Sequence, residues 1–120
     1  MDAAVEVHVW NRAALEGGGA NPCEGDRALA ALLLVHGLVM NGGVHHALEV
    51  LSQEEIRTAI AGFEFFSLSP VGQLLEVAQT LEEEAANRQY WALIPDDARI
   101  QARFRILFQS SPYAFAPAAG

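Results

Sequence analysis

Hydrophobic positions are densest between Ala28 and Met40, where Leu29, Leu32, Leu33, Leu34, Val35, Leu38 and Val39 are interrupted mainly by His36 and Gly37. A helix that is apolar on almost every side is buried on almost every side. Residues 27–40 are therefore predicted to form the central core helix, with Asp26 as its N-cap. Asn41-Gly42-Gly43 should end it, because Asn and Gly tolerate the left-handed backbone found at helix ends. A short helix over 44–51 follows, with Val44, Ala47, Leu48 and Leu51 at i, i+3, i+4 and i+7. Ser52 and Glu55 have the spacing of a capping box, so a new helix should begin at Gln53. It carries Ile56, Ala59, Ile60 and Phe63 on one face and fades near Phe66.

Ser69-Pro70 signals the next start: an N-cap serine, then proline in the first turn. The stripe Val71, Leu74, Leu75, Ala78, Leu81, Ala85 predicts one continuous helix over 70–88. Gln73, Glu76, Thr80, Glu83 and Asn87 lie on its opposite face. In that helix Glu82-Glu83-Glu84 would sit in the C-terminal half, where the macrodipole disfavours negative charge by about a few tenths of a kcal/mol each. Residues 90–94 read as an apolar connector ending at Pro95. Asp96 or Asp97 should cap a last helix to about residue 109, with Ile100, Phe104, Leu107 and Phe108 inward and Arg99, Arg103 and Arg105 off that face.

The ends are less sharply patterned. Val5, Val7 and Val9 alternate with Glu6 and His8, as in a strand, yet Val5, Val9 and Ala13 also share a helix face. Helix is chosen, because a lone strand cannot satisfy its backbone. Gly17-Gly18-Gly19-Ala20-Asn21-Pro22 is a break. The fold predicted is all-α, a compact bundle of five to six short helices around a buried central helix, and one domain over 1–120. Its parts are a helix and Gly-rich loop (1–25), a core (26–109) and an extended tail (110–120) with a mobile end.

Composition adds limits. The apolar fraction is 52% of 120 residues, enough for a core without staples. The single Cys23 excludes an internal disulfide and a cysteine-based zinc site. The N-terminus carries Asp2 and Glu6 and no basic region, unlike a signal peptide. The longest apolar run falls short of the roughly 20 residues that span a bilayer. A cytoplasmic location is expected. Net charge is −8, from fifteen acids and seven bases, all of them arginine. Residues 28–87 hold eight acids and only Arg57, a block of −7, whereas 88–120 hold four arginines against Asp96 and Asp97. Such a centre repels nucleic acid and anionic membranes and attracts a basic partner. Acids also keep an apolar-rich chain in solution.

No stretch carries recognisable enzyme chemistry. Cys23 lies in an acid-rich loop, which disfavours the thiolate a nucleophile needs. No nucleophile elbow or paired Glu-x-x-His is present, and no cofactor motif is found. Gly42-Gly43 could cradle a phosphate, but without a Walker lysine it reads better as a helix–helix corner. His45 and His46 share faces with Glu49 at i, i+4 and i, i+3, with His36 a turn and a bend earlier. A metal site would need three or four converging ligands. Surface histidines and a hydrogen-bonded core His36 are the simpler reading.

The order of features does carry a resemblance. A buried helix leads into Asn41, Gly42 and Gly43 and a short helix; a capped helix, a long amphipathic one, an acid-capped helix and a Pro-containing tail follow. This resembles a bacterial family of domains of unknown function that includes an acidic DNA-mimic protein. There Asn-Gly-Gly is typically followed by an aromatic, any residue, Gln and an aromatic; here Val44, His46 and Ala47 take those places. The likeness runs over residues 26–117. It implies a protein that presents carboxylates in place of phosphates to a DNA-binding partner.

The sequence thus points to a non-enzymatic acidic protein-binding domain, with the resemblance adding a DNA mimic that occupies the basic site of a DNA-binding protein. The partner-binding candidates are Glu49, Glu54, Glu55, Glu76, Glu83 and Glu84, with Asn41, Gly42 and Gly43 as the structural turn. On a continuous helix Glu76 and Glu83 would stand roughly 10 Å apart. An immunity-type inhibitor of a basic toxin such as a nuclease would use the same charge. A metal-binding protein or enzyme around His45, His46 and Glu49 is the third alternative. The apolar content leaves room for a homodimer.

Overall fold

A computed structural model of the chain describes residues 3–117. Seven α-helices follow in order among them: α1 (Ala3–Glu16), α2 (Glu24–Gly42), α3 (Val44–Val50), α4 (Gln53–Phe65), α5 (Ser69–Val77), α6 (Glu83–Leu93) and α7 (Asp97–Ser110). Two 3-10 turns, Ala78–Thr80 and Pro112–Ala114, complete the described secondary structure, which contains no strand. The all-α bundle holds, and α2 is its axis, packed by α1, α3 and α4.

The ambiguous N-terminal segment is a helix. Strand alternation would have put Val7 and Val9 on one face; instead Val7 is 57% exposed and Val9 1%. Val9 and Ala13 join the core, so the N-terminal segment belongs to it. On α2, Leu29, Leu32, Val35, His36 and Val39 point inward. Its closest neighbour is α4, where Gly62 lets the backbones meet: a Cβ there would lie 2.6 Å from the Ala28 carbonyl oxygen. The capping box at Ser52 is present. Glu55 N–H donates to Ser52 Oγ at 3.1 Å, and Ser52 N–H donates to Glu55 Oε1 at 2.9 Å.

Four expectations need correction. First, α2 is not buried all round: Leu34 is 47% and Met40 54% exposed, because its far side meets only the end of α1 and the start of α4. Second, Asp26 is not the N-cap of α2. The helix starts two residues earlier, after Cys23, and Asp26 in its first turn accepts from Cys23 N–H at 3.0 Å.

Third, the helix predicted over 70–88 is two helices, and the first of them begins at Ser69 itself, with Leu68 and not Ser69 as its N-cap. The backbone tightens into the 3-10 turn at Ala78, breaks at Leu81 and restarts at Glu83, with Glu82 as N-cap. The Ala78 carbonyl accepts from Leu81 N–H at 3.1 Å, three residues on rather than four, and from His45 Nε2 of α3 at 3.0 Å. Residues 90–93, read as a connector, are the last turn of α6. Fourth, the tail is not extended up to Pro117. After the second 3-10 turn, buried Phe115 stacks among Phe66, Phe104 and Phe108, with ring centroids 5.3–6.3 Å away. The calls on a mobile end at 118–120 and on the acid at Asp2 fall outside the described residues.

Candidate functional site

The Asn-Gly-Gly corner shows why those residues stand there. Gly43 has φ +94°, a left-handed backbone that side chains resist. A Cβ on Gly43 would also press the Asn87 amide at 3.1 Å, and one on Gly42 would lie 2.6 Å from the His46 ring. Asn87 of α6 accepts from Val44 N–H at 2.8 Å, so a side chain from another helix caps α3. The corner is structural, and it clamps α3 to α6.

The six candidate glutamates are all exposed. Glu49 lies beside His45, Leu48 and Gln79 in a small cleft between α3 and the first 3-10 turn. Glu54 and Glu55, in the first turn of α4, line a cleft of about 220 Å³ with Ala31 and Leu34. Glu76 lies near the end of α5. Glu83 and Glu84 open α6, where the helix N-terminus favours negative charge. The macrodipole cost expected for the acidic triplet therefore becomes a gain. The two-turn spacing of Glu76 and Glu83 is lost, because these residues no longer share a helix. A run of three acids is itself a first-turn signature, and that was the missed signal.

Among the described residues, two side-chain ion pairs form, Arg12–Asp26 and Arg105–Glu6, and His36 Nε2 lies 2.8 Å from Asp97 Oδ1. None includes a candidate glutamate. Arg105 turns to Glu6 of α1 at 3.0 Å, and Arg99 donates to the Leu93 carbonyl at 3.3 Å. Arg105 thus faces α1, where Trp10 meets Phe104 of α7, and Arg99 faces the end of α6.

Three of the four histidines, His36, His45 and His46, are engaged in the fold. His36 is buried between α6 and α7, with Nδ1 2.7 Å from the Tyr90 hydroxyl and Nε2 2.8 Å from Asp97 Oδ1. An ionised carboxylate only accepts, so Nε2 carries the proton and Tyr90 donates to Nδ1. Burial, and then the nearby Asp97 charge, push the Tyr90 hydroxyl well above its ordinary pKa. His45 is spent on Ala78, and His46 packs on Gly42. Among the described residues no group of three or more His, Cys, Asp and Glu is placed to hold a metal ion.

No family model, curated protein or solved structure matches the chain. No described helix is long and apolar enough to cross a membrane.

Two features were not legible beforehand. One is the buried pair of Arg12 and Asp26, which also fastens the tail. The other is an open apolar groove of about 690 Å³ between α1 and α2, lined by residues such as Trp10, Leu15, Leu34 and Met40. The near-continuous apolar run of α2 was its only sequence signal: it holds more apolar positions than one buried face needs.

Proposed function

We propose that the chain is a non-enzymatic acidic binding domain, acting in the cytoplasm, whose exposed glutamates occupy a basic surface on another protein. The observation that carries this reading is the set Glu49, Glu54, Glu55, Glu76, Glu83 and Glu84: all exposed, on helices, and none ion-paired among the described residues. Carboxylates without a cationic partner of their own, Glu55 included although it also caps α4 through Ser52 N–H, keep their field for an incoming cation and speed encounter with it. The resemblance at Asn41-Gly42-Gly43 supports taking that surface to be the DNA site of a DNA-binding protein.

The test is affinity capture from the source lysate with the immobilised chain, at about 50 mM and about 500 mM salt. The retained protein is then challenged with duplex DNA. Retention at low salt, release at high salt and release by duplex DNA are expected. The variant Glu76→Gln/Glu83→Gln/Glu84→Gln should retain less. Retention that ignores salt, or a variant as effective as the parent, refutes the electrostatic reading. A partner indifferent to DNA refutes the mimic.

A further inference from the structure

The outward face of α2 is unusual for an acidic protein. From Ala30 to Met40 it is apolar and open, and a Cβ built on Gly37 would meet nothing within 4 Å. Those ten residue steps span about 15 Å, room for about three turns of a guest helix. Leu34 stands where two clefts meet, the α1–α2 groove and the smaller cleft at the start of α4. Leu15 on the α1 rim is 80% exposed. The acidic side chains lining the two clefts are Asp97, which accepts from His36 at the groove floor, and Glu54 and Glu55; no arginine lines either.

An apolar floor with purely acidic edges selects its guest. We propose that this groove docks an amphipathic helix of a partner protein, with its apolar stripe against Leu34 and lysines or arginines along the margin facing Glu54, Glu55 and Asp97. A second copy fits poorly. A two-fold interface would bring the same carboxylates of both copies around one patch, in a chain of net charge −8. The inference rests on the reading of the chain as a binder of basic proteins. It places the anchor in an apolar groove rather than on the glutamates of α5 and α6.

The probe is a fluorescein-labelled leucine–lysine amphipathic peptide of about 14 residues, set against a scrambled peptide of identical composition and read by fluorescence anisotropy with the full chain. The amphipathic peptide should bind more tightly than the scrambled one. Leu34→Glu should weaken it about tenfold or more, the loss expected for one buried leucine anchor. Gly37→Phe should also weaken it: its Cβ meets nothing within 4 Å and its ring occupies the groove without changing charge, and an unchanged far-ultraviolet circular dichroism spectrum checks that the fold is kept. Glu54→Gln/Glu55→Gln should weaken it about threefold at low salt, and Glu83→Gln/Glu84→Gln should leave it unchanged. Equal binding of the two peptides, or indifference to both Leu34→Glu and Gly37→Phe, overturns the proposal. Loss only with Glu83→Gln/Glu84→Gln overturns it too, while leaving the acidic-surface reading standing. Sedimentation at several concentrations gives the last arm. A dimer that Leu34→Glu dissociates would show a second copy in the groove and overturn the partner helix.

Discussion

Asp26 offers the sharpest test of how the fold is held. Its carboxylate is fully buried and accepts three hydrogen bonds: from Arg12 Nη2 at 2.8 Å, Cys23 N–H at 3.0 Å and Ala116 N–H at 2.6 Å. Arg12 in turn donates to the Ala116 and Pro117 carbonyls at 2.8 and 3.2 Å. One carboxylate thus joins α1, the start of α2 and the tail. In Asp26→Ala the guanidinium, only 10% exposed, is left without its counter-charge. Breaking a buried pair from one side costs about 3–5 kcal/mol. Arg12 Nε is already buried without a partner, so the pair is not bidentate, and the lower half of that range is expected. A chain of 120 residues has a stability of about 6–18 kcal/mol, so the variant should still fold. Its melting temperature should fall by about 10–15 °C. Urea unfolding followed by far-ultraviolet circular dichroism measures the loss. A cycle with Arg12→Met and the double variant should show coupling of about 1–3 kcal/mol. A loss below about 1 kcal/mol, or additivity within about 0.5 kcal/mol, would refute the view of this pair as a buried clasp.

Other outcomes follow from single contacts. Gly43→Ala should lose about 1–3 kcal/mol in the same assay, because φ +94° and the Asn87 amide both resist a Cβ. Asn87→Ala, which leaves Val44 N–H uncapped, should lose about 1 kcal/mol. Phe115→Ala should lose about 3–5 kcal/mol, whereas a dispensable tail would lose almost nothing. Tyr90 should resist ionisation in an absorbance titration at alkaline pH until the protein unfolds. Its proton is held more tightly in the folded chain, so this contribution to stability is whole below pH 10 and falls as pH rises above it. Tyr90→Phe should remove that dependence and cost about 1–3 kcal/mol by leaving His36 Nδ1 unpaired. An unchanged alkaline profile would count against the buried hydroxyl as its source.

What the sequence determined by itself was local. The capping box of Ser52 and Glu55, the corner read at 41–43 and an aspartate cap for α7 are encoded by neighbours a few residues apart; the box stands as read, the turn falls at Gly43 with Asn41 and Gly42 still helical, and of Asp96 and Asp97 it is Asp96 that caps. The all-α class follows from the same periodicity. What only the tertiary structure decided involves partners far along the chain. The stripe from Val71 to Ala85 keeps helical spacing across the 3-10 turn, so nothing in its own period shows the break; the Ala78 carbonyl, which closes that turn with Leu81 N–H, also accepts from His45, 33 residues away. Asp26 looks like a cap until Arg12 and the tail arrive, the latter 90 residues on. The apolar run of α2 announced burial, but how much of it is covered depends on how many helices reach it. Three cover one side, and Leu34 and Met40 remain open on the other. Composition counts apolar side chains; only packing says which of them are left for a partner.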